Sequence, residues 1–385
     1  MNETWAPLVE GEAAARALAA AEAIARDLAA DPASGPGLSR GRAGLALFFA
    51  YRERALGRAE DGELAARHLE AAVEELAAQA APDPSLFNGF AGVAWTAEHL
   101  GGGEDEEAGE DLNEEIDAGL LSLLRRAPWR GGFDLVGGLV GWGVYALERL
   151  PRPAAAAMLP LLVERLAERA APGDRGVVWR GPAGADFGMA HGAAGVIALL
   201  ARMLREGAAG PAAAALLVAA VDGVLGSSRE GEAADLAWCA GDAGLSAALL
   251  AAGRALGRVD WEREARRLAN AAAERHADGG AETFDLALCH GTAGLSHLFH
   301  RLYRATGDPA CLAAARRWLE RTLARQRPGE GIGGYLCKSR TPDGGFGWIA
   351  DPGFLGGAAG IGLALLAAAT PVEPAWDRLL LLSGR

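Results

Sequence analysis

Three segments of the chain place a thiol or an imidazole just before a Gly-x-x-Gly step. They read GMAHGAAG, with His191 before Gly192; AWCAGDAG, with Cys239 two residues before Gly241; and ALCHGTAG, with Cys289 and His290 before Gly291. Two cysteines and one histidine form a three-donor set for zinc that leaves one coordination position open. Such sets mark catalytic zinc, whereas four protein donors mark structural zinc. Cys239, Cys289 and His290 supply the three-donor set, with His191 then the uncoordinated acid or base. A second assignment takes His191 as a ligand and gives a closed site. The ordinary role of a buried cysteine is that of a small hydrophobe, and Cys311, in an amphipathic stretch, reads that way. Cys337 fits either role. His297 and His300, at i, i+3 spacing on an apolar stretch, read as a core or rim pair, with a second metal site as the alternative.

These donors are far apart in sequence, so a repeated scaffold must gather them. The Gly-x-x-Gly step recurs with first glycines at Gly41, Gly89, Gly138, Gly192, Gly241, Gly291 and Gly357, giving intervals of 48, 49, 54, 49, 50 and 66 residues. One such step says little, but a near-constant period marks a repeat architecture. After each step comes a small apolar run, for example Leu45–Tyr51, Val196–Leu204 or Leu245–Ala252, hydrophobic nearly all round as a buried helix is. Amphipathic helices rich in Ala, Arg and Glu alternate with them, at Gly11–Leu28, Glu63–Gln79, Ala155–Arg169, Trp261–Arg275 and Pro309–Arg325. Strand patterns are nearly absent. The first and last inner runs are as apolar as the middle ones, whereas an open solenoid needs polar caps. The predicted fold is therefore all-α: a closed α/α toroid of seven helical hairpins, one domain over residues 1–385.

In such a ring the glycines permit tight turns and close packing of neighbouring backbones. The inner-helix N-termini are expected to turn their positive dipole ends toward a shared basin. The last interval is the longest, and its surplus at 329–356 is glycine-rich and aromatic. It reads as a functional loop over one end of the barrel.

Composition narrows the function. The net charge is −13, from 37 Lys plus Arg against 50 Asp plus Glu, and Lys338 is the one lysine. An acidic chain is a poor nucleic-acid binder. Four cysteines in 385 residues make no disulfide framework. No secretory signal or membrane-spanning run is read, so the expectation is a cytoplasmic protein with reduced thiols, or one peripheral to the membrane.

The segments WCAG at Trp238–Gly241, CHGTAG at Cys289–Gly294, GMAHGAAG at Gly188–Gly195, DLVGGLVG from Asp134 and PAWDRLLLL at Pro374–Leu382 resemble the lanthionine synthetase C-like family, which includes the bacterial lanthipeptide cyclases of the nisin type. The repeats cover nearly the whole chain. The resemblance implies a seven-fold toroid with zinc at one end. It also implies a reaction: a cysteine thiol of a dehydrated precursor peptide, leader plus core, adds to dehydroalanine or dehydrobutyrine made by a dehydratase, giving lanthionine or methyllanthionine. In that family an acidic residue supports the active-site histidine, and Asp134 matches it. An ordinary helix N-cap is the alternative for Asp134.

Two positions depart from the family. An arginine stands four residues before the first zinc cysteine in the nisin-type cyclases; here it is Asp235. A tyrosine often follows that cysteine; here it is Ala240. The charge reversal leaves the role of neutralising an enolate to Arg180, Arg229 or another base. It also motivates the reading of a zinc-containing scaffold or peptide-binding subunit without turnover; the family resemblance offers a further one, a relative that adds glutathione or another small thiol to dehydrated residues.

Overall fold

The computed structural model describes residues 4–30, 35–101, 111–181, 184–227, 236–275, 285–341 and 344–384. Its α-helices are α1 (Gly11–Leu28), α2 (Arg42–Leu56), α3 (Ala59–Ala77), α4 (Phe90–Gly101), α5 (Glu114–Leu124), α6 (Leu139–Glu148), α7 (Pro153–Arg169), α8 (Ala193–Arg205), α9 (Pro211–Gly226), α10 (Asp242–Leu256), α11 (Val259–Glu274), α12 (Thr292–Thr306), α13 (Pro309–Ala324) and α14 (Ala358–Ala369). Short antiparallel hairpins add β1 (Ala171–Pro172) with β2 (Val177–Val178), β3 (Arg180–Gly181) with β4 (Gly184–Ala185), and β5 (Cys337–Arg340) with β6 (Phe346–Ile349).

Even-numbered helices start inside the Gly-x-x-Gly steps. Apolar side chains on all their sides are buried, as in α8, where every residue from Ala193 to Met203 is buried. Odd-numbered helices bury one face; α1 hides Ala17, Ala20, Ala21, Ile24, Ala25 and Leu28. That 3–4 spacing is the stripe of a helix packed on a core. Helices α2, α10 and α12 stop at Gly57, Gly257 and Gly307, whose φ values of 67°, 64° and 68° are left-handed. Glycine takes that conformation without the clash that a side chain brings.

Residues 1–81 and 270–375 form one compact unit. Within it α2 packs on α3 and α14, α12 packs on α13 and α14, and α1 packs on α14. The first post-glycine helix thus lies against the last, as ring closure predicts. Leu8 N–H donates to Ala368 O at 2.8 Å and Trp5 Nε1–H to Ala367 O at 2.8 Å, tying the chain's start to α14. Segment 329–356, read as a loop, carries the β5–β6 hairpin, with Lys338 opposite Trp348. In β6 the exposed Phe346 and Trp348 alternate with the less exposed Gly347 and Ile349. Cys337 at the start of β5 and Cys311 in α13 are buried.

Residues 82–269 and 376–385 form the second unit. There α4, α6, α8 and α10 pack in succession, with α7 and α9 against α6 and α8. A 3-10 turn at Ala375–Leu380 brings the C-terminal segment onto this layer. Trp238 Nε1–H donates to Leu380 O at 3.0 Å, and Arg378 Nη1 to the buried Glu148 Oε1 at 2.9 Å. No helix among the described residues is long and apolar enough to cross a membrane.

Candidate metal centre

The reactive residues sit in turns of one design. The chain reaches each post-glycine helix through a loop whose carbonyls fold back onto the first helical amides. Before α12, Thr292, Ala293 and Gly294 N–H donate to Asp285, Leu286 and Ala287 O at 2.9, 3.2 and 3.3 Å; before α14, Ala358, Ala359 and Gly360 do the same to Asp351, Pro352 and Gly353 O at 2.8, 3.3 and 3.3 Å. The first amides of these helices, which an anion would otherwise use, are thus bonded within their own turns. The turns also refine the role of the glycines. A Cβ at Gly192 would run into Asp186 O, and one at Gly195, Gly244 or Gly294 into the carbonyl six residues earlier. The backbone at Gly192 and Gly291 is extended, with φ of −123° and −119°. The requirement is therefore space beside the turn's own carbonyl.

An aspartate six residues before the first glycine completes the turn, and the sequence reading missed this recurrence. Oδ1 of Asp83, Asp186, Asp285 and Asp351 accepts the amides of Ser85, Gly188, Leu286 and Gly353 at 2.8, 2.7, 2.7 and 2.9 Å. Asp235 keeps that spacing in the sequence. It lies outside the described residues, as does Arg229. Arg180 is exposed in β3.

In the second unit, backbone bonds join three neighbouring turns. Leu135 N–H donates to Ala190 O, and Ala190 N–H to Cys239 O, each at 3.1 Å. The residues next to those contacts are Asp134, His191 and Cys239. His191 Nδ1 lies 2.8 Å from Asp134 Oδ2, and Asp134 Oδ1 accepts Gly137 N–H at 2.8 Å. The N-cap of α6 is Gly138, so Asp134 holds the turn and the imidazole and is not the cap. The hydrogen bond with Asp134 raises the His191 pKa; burial opposes this, while the charges of Asp134, Asp186 and Cys239 add to it. Burial pushes the Asp134 carboxyl up, but the contacts with His191 and with the Gly137 and Val136 amides outweigh it and leave its pKa lowered. A carboxylate on Nδ1 fixes the ring and favours its protonated form.

In the first unit, Cys289 and His290 precede α12, and Cys289 N–H donates to Leu355 O at 3.0 Å. His290 Nε2 lies 3.0 Å from Oδ2 of the buried Asp285. Cys239, Cys289 and His290 are the one group of three donors among the described residues that could hold a metal ion. Two thiolates and one imidazole are a donor set that tetrahedral zinc takes, and their softness fits it. His191 is outside this group.

The remaining candidates stay in the core. Burial, then the charges of Asp285 and Asp351, push the Cys337 thiol well up. His297 and His300 are buried with their ring centroids 6.1 and 4.3 Å from that of Trp5. Burial, then His297, Arg301 and Arg304, push the His300 pKa down to about 3. The pair is a core pair.

The chain is similar in structure to a nisin cyclase, with a TM-score of 0.72 at 20% sequence identity, over 94% of this chain and 96% of that chain. The likeness carries the fold, an all-α toroid. No curated protein matches the chain in sequence. The description "Lanthionine synthetase C-like protein" matches residues 32–381, nearly the whole chain. With its turns, thiols and helical layers placed, the chain belongs to the lanthionine synthetase C-like family.

Proposed function

We propose that the protein is a zinc-dependent lanthipeptide cyclase, which adds a cysteine thiol of a dehydrated precursor peptide to dehydroalanine or dehydrobutyrine in the same peptide. Family membership and the likeness to a nisin cyclase support the reaction class. The observation that carries the reading is the donor group of Cys239, Cys289 and His290. The two cysteine thiolates would offset the charge of a divalent ion there, and the open position would admit one substrate sulfur. Zinc so held supplies a Lewis acid that keeps a peptide thiol, with pKa of about 8.5 when free, in its nucleophilic thiolate form.

His191 handles the protons. With Nδ1 committed to Asp134, Nε2 is the nitrogen that exchanges protons with substrate. It accepts the proton of the incoming thiol. The new C–S bond forms at the alkene β-carbon as the π bond opens toward the carbonyl. His191, whose protonated form Asp134 favours, then donates to the α-carbon. The thiol proton ends on carbon, so the ring closes without oxidant, reductant or change of mass. The same reading assigns a single domain over 1–385, a dehydratase as the source of the alkene, and a cytoplasmic setting.

The test is alkylation of free thiols on a dehydrated peptide, followed by mass spectrometry. Wild-type protein is expected to remove alkylation sites at unchanged peptide mass. Zinc-loaded protein that leaves every thiol free, with or without a dehydratase, would contradict the cyclase reading and favour a scaffold subunit.

A further inference from the structure

We infer that Asp285 is a positioning residue of the metal centre: it orients His290 for ligation and is itself held by strand β5. The inference rests on the zinc reading above. Asp285 occupies the recurrent turn position, but its surroundings differ from those of its counterparts. Its side chain is 1% exposed. Oδ1 accepts the turn amide of Leu286 at 2.7 Å and also that of Lys338, in β5, at 2.8 Å. Oδ2 lies 3.0 Å from His290 Nε2, and this buried oxygen has no hydrogen-bond partner of good geometry among the described residues. In the last repeat the same oxygen of Asp351 faces the Arg40 guanidinium at 3.0 Å.

A buried carboxylate is costly unless its oxygens are satisfied. Two amides satisfy Oδ1, and the imidazole faces Oδ2. An acceptor-only oxygen selects the tautomer with hydrogen on Nε2, which leaves the Nδ1 lone pair for a metal. Metal-bound histidines commonly give their second N–H to a carboxylate in this way, and the partner sets ring orientation and ligand basicity. The hairpin in the long last interval thereby acquires a role: a backbone amide of β5 fixes the carboxylate behind His290. Because Lys338 contributes its amide, its side chain is dispensable for this purpose.

Asp285→Asn tests the assignment, because one amide cannot serve both sides. With its oxygen on Leu286 and Lys338, its NH2 group meets the N–H of His290; flipped, it meets two backbone N–H groups. The zinc dissociation constant, read by competition with a chromophoric chelator, is expected to rise about 10- to 100-fold. Asp83→Asn, the same change in a repeat without donor residues, and Lys338→Ala are expected to keep wild-type affinity. Wild-type affinity in Asp285→Asn, or an equal loss in Asp83→Asn, would overturn the inference. If Asp285→Asn does not fold, histidine 15N NMR of the zinc-loaded wild type decides: hydrogen on Nε2 of His290 is expected, and hydrogen on Nδ1 would overturn it. A wild type that binds no zinc would overturn the cyclase reading, and this inference with it; zinc binding that Cys289→Ala abolishes but Asp285→Asn leaves intact would overturn the inference alone.

Discussion

In the turn before α8, the His191 side chain is 57% exposed and pairs with Asp134 at 2.8 Å. Inside α12, His300 is buried with its ring 4.3 Å from that of Trp5. The two environments move the same ring in opposite directions. Asp134 raises the pKa of His191, and burial with neighbouring His297 and arginines pushes that of His300 down to about 3. The difference lies in position relative to the Gly-x-x-Gly step. A residue just before the step sits on a turn, within reach of the acidic residues that the turns carry. A residue two turns into the helix sits in the apolar layer, where a charge has no partner.

The comparison is most severely tested by removing each ring in turn. His191→Asn is expected to slow ring formation by about 10²- to 10⁴-fold, the range for a general acid–base residue, with zinc content unchanged. His300→Leu is expected to leave the rate of the folded enzyme unchanged. Equal rate losses in the two variants, measured by thiol consumption, would erase the distinction.

A smaller effect is expected for Asp134→Asn, about tenfold at neutral pH. Its sharper signature is the pH profile. Asp134 raises the pKa of His191, and the neutral ring must first accept the thiol proton, so activity falls as pH drops through that pKa. Without the carboxylate the pKa drops, and the acid limb should move to lower pH. An unmoved limb in a folded variant would remove Asp134 from the pair.

The smallest effect concerns stability. The unfolded His300 binds a proton below its ordinary value of about 6.5, whereas the folded one resists protonation down to about 3. Between those values the unfolded state holds the extra proton. Stability is thus intact above about pH 6.5 and is lost as pH falls, by at most about 1.4 kcal/mol per pH unit for this group. His300→Leu should flatten that part of a stability–pH curve measured by denaturant unfolding; an unchanged slope would show that His300 is not the group responsible.

The helical layers were legible because period and apolarity agree. The spacing of seven glycine steps located every even-numbered helix, and α1 and α13 start where the amphipathic pattern starts. Helix α9 was harder to read as an outer helix: PAAAALLVAAVDGVLG carries one charge, Asp222, and shows no polar face. The β5–β6 hairpin was read as loop because four-residue strands among glycines have little pattern of their own. At the site, residue type and repeat position identified Cys239, Cys289, His290 and His191. Asp134 needed the family resemblance. Asp285 was missed, although an aspartate six residues before a first glycine recurs at Asp83, Asp186, Asp235, Asp285 and Asp351. What no spacing could show is that one of these turns faces an imidazole.

The central claim is that Cys239, Cys289 and His290 hold one zinc and that this zinc is needed to consume peptide thiol. Elemental analysis of the wild type and of Cys289→Ala, run beside thiol alkylation on a dehydrated peptide, tests it most directly. The account predicts one zinc per wild-type chain, lost in the variant together with thiol consumption. A wild type without zinc, or a zinc-free Cys289→Ala that closes rings at the wild-type rate, would contradict it.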